Sequence, residues 1–282
     1  MKNKKTSSLR IARMHIPSHI IMIIWCFISI TPIALLIFNS LKDRKSLFMD
    51  PFGFPLNITF DNYTSVIKDS NFFRYFGNSL FVVVGSLTVV LLLGSLCAFA
   101  LAHWKGKASK IIYFFFIVGM MLPIKIATIR LLELMKVLGL LNTLWSLLLV
   151  YSAMGMPIAI FVLTEFIRSL PSDLYDAAYI DGAKRLKIYY GIVIPLIKPA
   201  LATVAIYNLV PIWNDLWFPL IFITKEEVKT VLLAVTRLQG QYATDWPKVF
   251  ALLTMSALPV LILYLTMSKQ FVAGLTAGAV KG

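Results

Sequence analysis

Three groups of residues have types and spacings that could do chemistry. The first is the polar stretch from Ser172 to Ala183, which holds Asp173, Asp176-Ala177-Ala178 and Asp181-Gly182. It continues through Lys184, Arg185 and Lys187 to Ile194-Pro195. Small side chains beside carboxylates suit close docking of a partner rather than bond-making. The second group is Trp213-Asn214-Asp215, with Trp217 and Phe218 beyond it and Pro211 and Pro219 on either side. Aromatic faces to stack on, with an amide and a carboxylate for hydroxyls, are what a sugar needs. A polar contact between helices accounts for the same residues equally well. The third is Lys125, two residues after Pro123, with Arg130 beyond it. Either these cations snorkel at an interface or they line a vestibule.

Other chemistries lack their parts. Gly106-Lys107-Ala108-Ser109 is a fragment of a phosphate loop, but Leu101 stands where its first glycine is required. No Ser/His/Asp or paired-carboxylate constellation stands out, and His15, His19 and His103 lie near membrane ends, where they read as interfacial rather than ligating. Cys26 and Cys97 both lie in apolar runs with no partner spacing. The reading is a chain that is not an enzyme and holds no metal or cofactor.

The elements that must position these groups are membrane spans. The chain has 282 residues, 59% hydrophobic and 14% charged, with mean hydropathy +0.81. A soluble domain carries about 25% charged residues. The fold class is therefore an all-α polytopic membrane protein, and at about 20 apolar residues per crossing this length allows six transmembrane helices. The formal charge of +14 reflects the enrichment of Lys and Arg in cytoplasmic loops and does not indicate nucleic acid.

Hydropathy places spans at 16–38, 76–102, 111–129, 143–167, 199–223 and 247–267. Residues 1–15 form a cytoplasmic tail, 16–267 the six-span domain and 268–282 a second cytoplasmic tail. The first apolar run exceeds the 7–15 residues of a signal peptide core and is expected to remain uncleaved. Residues 42–74 and 224–246 are expected as outer loops, and 130–138, with Leu131, Leu134, Met135 and Leu138 at helical spacing, as an interfacial helix. Gly85, Gly94 and Ala98 in the second span suit close helix packing. Basic residues gather at the N-terminus (Lys2, Lys4, Lys5, Arg10, Arg13), at 103–110 and at 168–198, where Asp173, Asp176 and Asp181 are the acids. That bias puts both termini and the loop 168–198 inside.

Within that loop, Pro171 ends one helix. Ser172 is expected to cap the next, with Asp173 and Asp176 in its first turn, where the helix dipole favours acids. Leu174, Ala177 and Ala178 would form one small apolar face, with Tyr175 and Tyr179 beside it. Asp181-Gly182 is a turn signal. A second helix, 183–192, would present Leu186, Tyr190 and Val193 together, with Pro195 stopping it and Pro199 opening the next span. An amphipathic loop on anionic headgroups is the simpler reading, but a face made of two alanines buries little in lipid.

The pattern Asp176-Ala177-Ala178, then Asp181-Gly182-Ala183, then Ile194-Pro195 resembles the Glu-Ala-Ala loop of permeases of ATP-binding-cassette importers. Asp replaces the family's Glu, and Ile replaces its usual Leu before the proline. The resemblance runs over nearly the whole chain. Ser40-Leu41-Lys42, Asn78-Ser79, Met121-Leu122-Pro123, Leu138 to Thr143 and Trp213-Asn214-Asp215 are similar to the sugar-importer branch, and the tail from Phe271 is similar to that of maltose-importer permeases. The resemblance implies a permease subunit in a bacterial cytoplasmic (inner) membrane, importing a carbohydrate. It implies pairing with a second related permease, two ATP-binding subunits that bind ATP and Mg, and an extracytoplasmic solute-binding protein. The coupling loop would dock on an ATP-binding subunit: Ala177 and Ala178 in close contact, Asp176 offering a carboxylate, Gly182 bending the chain. Two alternatives are a permease of this class for a non-sugar solute and an ion-coupled secondary transporter. The second would need buried acids in several spans, where Asp215 is the main one.

Overall fold

The computed structural model describes residues 3–69, 71–104, 106–238 and 244–279; the side chains of residues 3–17, 69, 237, 263, 264 and 267–279 lie outside that description. Among the described residues every regular element is helical. In chain order they are α1 (Asn3–Ser40), α2 (Arg44–Met49), α3 (Asp61–Asp69), α4 (Phe72–His103) and α5 (Lys107–Met121). A 3-10 turn, Ile124–Ala127, leads to α6 (Thr128–Val137), α7 (Leu144–Arg168), α8 (Asp173–Ile180) and α9 (Arg185–Ile188). After a π turn, Tyr189–Val193, come α10 (Ile194–Leu196), α11 (Lys198–Trp213), α12 (Trp217–Phe222), α13 (Val231–Leu238) and α14 (Trp246–Ala279).

Three unbroken stretches are long and apolar enough to cross a bilayer: Ser18–Ser40, Phe72–His103 and Leu144–Arg168. Two bent pairs bring the number to as many as five: Lys107–Met121 with Ile124–Val137, turned by 84°, and Arg185–Leu196 with Lys198–Trp213, turned by 73°. Trp246–Ile262 is a shorter apolar helix.

The bends correct two expected spans. The third does not run through 111–129, because α5 stops at Met121. Pro123 cannot accept Leu122 in helical geometry, and Leu122 is extended (φ −81°, ψ 123°). Lys125 and Arg130 therefore lie beyond the break. The helix expected at 130–138 is present as α6, Thr128–Val137. The fifth expected span ends at Trp213, with Asn214 as its C-cap. The helix expected to close at 267 continues in its backbone to Ala279, so 268–279 is an extension of α14; residues 280–282 lie outside the described residues.

The chain divides into two compact units, Met1–Asn71 with Arg237–Met255 and Phe72–Thr236 with Ser256–Gly282. In the first, the end of α1 organises the turns that follow. The buried Lys42 donates through Nζ to Asp50 O (2.6 Å) and Gly53 O (2.8 Å), which satisfies its charge on carbonyls. Asn62 Nδ2 donates to Ser40 O and Lys42 O, both at 2.9 Å. Asp43 caps α2 by accepting from Ser46 N at 2.8 Å, and hydrogen bonding from the Ser46 hydroxyl, with that backbone bond, holds its carboxyl below the usual carboxylate range.

In the second unit α4 and α7 make the most extensive pairing. Small residues let them close up as the sequence predicts: a Cβ added at Gly94 would lie 2.9 Å from Ala159 Cβ. Ser86 Oγ donates across the pair to Leu148 O at 3.2 Å. One cluster of buried side chains joins Val82, Leu147, Tyr151, Trp213 and Phe218. A second joins Val90, Leu163, Tyr175, Ala178, Ile188 and Val193. The first cluster backs a cavity and the second backs the polar loop.

Candidate functional site

The loop after α7 is a short helix, a glycine turn and a distorted second helix. Gly182 has φ +72°, a left-handed conformation that disfavours residues with a Cβ. The turn closes with Gly182 N donating to Tyr179 O (3.0 Å) and Ala183 N to Ala178 O (2.9 Å). Ser172 does not cap α8: it is already helical (φ −60°, ψ −33°) and makes no capping bond. Tyr175 N and Asp176 N instead find Ser172 O, which makes the entry a backbone turn.

The two alanines part company. Ala178 is 7% exposed and packs with Tyr175 in the second cluster, whereas Ala177 is exposed. The expected joint face of Leu174, Ala177 and Ala178 is therefore divided, because Tyr175 and Ala178, three apart, take the inward side. Ala178 is occupied by its own chain. Exposed around Gly182 are Leu174, Ala177, Ile180 (87%) and Leu186, with Asp176 and Asp181 among them. Against Tyr175 lies the ring of His103, centroids 4.4 Å apart. Burial pushes the Tyr175 phenol above its ordinary pKa.

The second helix also departs from expectation. It starts at Arg185, and Leu186 and Tyr190 are exposed while Ile188, Tyr189, Val193 and Ile197 are buried. Pro195 does not stop it. The π turn at 189–193 shifts the hydrogen-bond register, Ile194 N donating to Tyr189 O, and Pro195, which has no N–H to offer, sits at that shift inside a continuing helix. The chain bends two residues later, at Ile197. Tyr189 OH lies 2.7 Å from Ser95 Oγ, joining the loop to α4.

A cavity of about 390 Å³ opens between α5, α7 and α11. That is within the range of about 300–1,000 Å³ typical of small-molecule sites. Lys125 and Asp215 both line it, with Tyr151, Tyr207 and Asn208. Asp215 Oδ2 accepts from Tyr151 OH (2.7 Å) and from Phe218 N (3.1 Å). Lys125 Nζ stands 5.5 Å from the centroid of the Trp217 ring, a cation–π distance, and Trp217 Nε1 donates to Thr128 Oγ1 at 3.0 Å. Asn208 Nδ2 donates to Val204 O at 2.9 Å. The wall thus offers an ammonium, a carboxylate, an amide and phenols against an apolar lining.

The other two members of the sequence group lie elsewhere. Trp213 is buried, its Nε1 donating to Ser256 O (2.9 Å) and its ring against Phe76 (5.7 Å). Asn214 is exposed and donates to Val210 O at 3.0 Å. Neither lines the cavity. Tyr151, Tyr207 and Asn208 were not singled out from sequence. As polar side chains inside apolar runs, they carried the signal that should have marked them. Among the described residues no three His, Cys, Asp or Glu side chains converge as metal ligands.

Residues 90–274, which hold both loop and cavity, match the family of binding-protein-dependent transport system inner membrane components. The chain belongs to that family. It is accordingly a multi-pass inner-membrane permease. It is 33% identical to the melibiose/raffinose/stachyose import permease protein MelC of Bacillus subtilis (strain 168) over 283 residues, 100% of each chain. It is 33% identical to the diacetylchitobiose uptake system permease protein NgcG of Streptomyces coelicolor, over 93% of this chain and 87% of that one. In fold, this permease is similar to a bacterial ABC transporter that imports the acidic polysaccharide alginate. The TM-score is 0.82 at 22% identity, covering 92% of this chain and 97% of that one.

Proposed function

We propose that this permease is one of two related membrane subunits of a carbohydrate importer driven by ATP hydrolysed on partner chains. MelC and NgcG, similar over nearly their whole lengths, are sugar permeases by name, which supports the substrate class. The unbroken spans, the two bent pairs and Trp246–Ile262 would make six crossings, with the tails 1–15 and 268–282 and the loop 168–198 in the cytoplasm. ATP and Mg would sit on the two partner ATP-binding subunits. A solute-binding protein would deliver the sugar from outside. The cavity lined by Lys125 and Asp215 would form part of the pathway, where amide, carboxylate and phenol groups can exchange hydrogen bonds with sugar hydroxyls.

The observation that carries the coupling role is the division of faces on the loop. Tyr175 and Ala178 fix α8 to its own chain, and Leu174, Ala177, Ile180 and Leu186 are left exposed around Asp176, Asp181 and Gly182. Apolar side chains exposed beside a rigid turn fit a partner's cleft. In this reading Ala177, not Ala178, makes the close contact. The test is Ile180→Glu combined with Leu186→Glu in protein purified from its native membrane. The permease should remain monodisperse but lose the co-purifying ATP-hydrolysing subunit. Full retention of that subunit, with substrate-stimulated hydrolysis unchanged, would overturn the assignment.

A further inference from the structure

We infer that the segment following α1, residues 48–60, is an aromatic anchor seated in the lipid interface at the end of the first span. The segment is rich in exposed apolar side chains: Phe48, Phe52 (79%), Phe54, Leu56 (93%), Ile58 and Phe60. Left in water, such a run would be an aggregation hazard, and a contiguous patch of this kind marks a protein or membrane contact. Its depth decides which. The chain does not project away from α1 but folds back on it. Phe54 packs edge-on against Phe38, ring centroids 5.1 Å apart. Phe38 is two residues inside the span Ser18–Ser40, about 3 Å along a helix axis. Thr59 N donates to Leu41 O at 2.9 Å, and Ser40 Oγ shares a 2.5 Å hydrogen bond with Tyr63 OH. With the Lys42 bonds to Asp50 O and Gly53 O, these contacts hold the segment level with the end of the span. Gly53 N donates to Asp50 Oδ1 at 2.9 Å, and a Cβ added at Gly53 would fall 1.7 Å from Asp50 Oδ2, so a larger residue there must turn that carboxylate aside.

A second span end lies at the same place. Trp246 and Phe250, at the start of α14, share an apolar recess of about 310 Å³ with Leu47, Phe48 and Pro51. Rings at the ends of two membrane helices, with Arg44, Lys45 and Asp61 beside them, have the composition of an interfacial belt, where rings sit among headgroups and charged groups reach water. The occupant of this face is therefore phospholipid.

The test uses the full chain with its associated subunits in phospholipid nanodiscs. Cys26→Ser and Cys97→Ala leave a single spin label at Phe52→Cys or at Leu56→Cys, two positions that touch little of their own chain. Collision rates with oxygen and with a water-soluble nickel chelate are then measured. At both positions oxygen access should exceed nickel access, and the ratio should exceed that at Asp61→Cys. High nickel access at both would place the segment in water, and low access to both reagents would place it under another protein chain. Either result overturns the inference.

Discussion

The hydroxyl of Tyr151 donates to Asp215 Oδ2 at 2.7 Å, joining the middle of α7 to the turn before α12 at the wall of the cavity. A carboxylate in an apolar setting needs such donors, and Phe218 N supplies the second. Tyr151→Phe removes one donor and keeps the ring packing. We expect a loss of about 1.5–3 kcal/mol, the range for a hydrogen bond to a charged group, read as a lower midpoint of thermal unfolding in detergent. Asp215→Asn keeps an acceptor without the charge. If the carboxylate serves transport, Asn at 215 should be nearly as stable as the parent but slower in substrate uptake.

The cavity also depends on a missing side chain. A Cβ at Gly155 would lie 2.6 Å from Asn208 Oδ1 and 2.8 Å from Val90 Cγ2, and Val90 is fully buried. Gly155→Ala must therefore displace Asn208 from its bond to Val204 O or strain the pairing of α4 with α7. Overpacking of this kind costs about 1–3 kcal/mol. Combining it with Asn208→Ala should recover part of that loss, because the crowding atom is gone. A double-mutant cycle on unfolding midpoints measures the coupling.

Much of this arrangement was legible in the residues, and the parts that were not share a cause. Hydropathy located α1, α4 and α7 because each buries or immerses a long apolar run without interruption. It misplaced the ends of the third and fifth spans. There the decisive event is local: Leu122 is forced out of helical geometry by Pro123, and Asn214 terminates α11. Proline cut both ways, since Pro195 looked like a stop and lies within a helix made tolerant by a π turn. In the polar loop, three- and four-residue spacing listed which residues share a face but not which face turns inward. Packing of Tyr175 on His103, and of both residues in one cluster with Ile188 and Val193, decided that Tyr175 and Ala178 would. The placement of Lys125 and Asp215 on the wall of one cavity joins positions 90 apart in sequence, a tertiary fact that no local pattern carries.

The motif around Asn142 illustrates a role visible only in three dimensions. Asn142 has φ +59°, and its Oδ1 accepts from Thr224 N (2.5 Å), Thr224 Oγ1 (2.8 Å) and Lys225 N (3.0 Å). One side chain thus holds the start of the segment after α12 against the turn between α6 and α7. Asn142→Ala loses these bonds and keeps a Cβ in a left-handed conformation. Asn142→Gly loses the same bonds but has no Cβ to strain there. Both should speed amide exchange at Thr224 and Lys225. The alanine variant should be less stable than the glycine variant by about 1 kcal/mol, the cost of that conformation for a residue with a Cβ. Equal exchange in parent and glycine variant would show that the segment is held by other means.

The contact of Tyr189 with Ser95 offers a test of how movement of the loop reaches the spans, resting on the coupling role proposed above. Ser95 Oγ also lies within hydrogen-bond reach of Leu91 O, so its one proton can go to that carbonyl while Tyr189 OH donates to Ser95 Oγ. Tyr189 opens the π turn, where the backbone register is already shifted, and its ring packs on Phe99, centroids 5.4 Å apart. Tyr189→Phe keeps the ring and removes the bond, at an expected cost of about 0.5–1.5 kcal/mol. If the bond carries motion from loop to α4, substrate-stimulated ATP hydrolysis should persist while substrate moved per ATP falls. Ser95→Ala should give the same split, because it removes the same bond from the other side. A stability loss with an unchanged ratio of transport to hydrolysis would reduce the contact to a structural one.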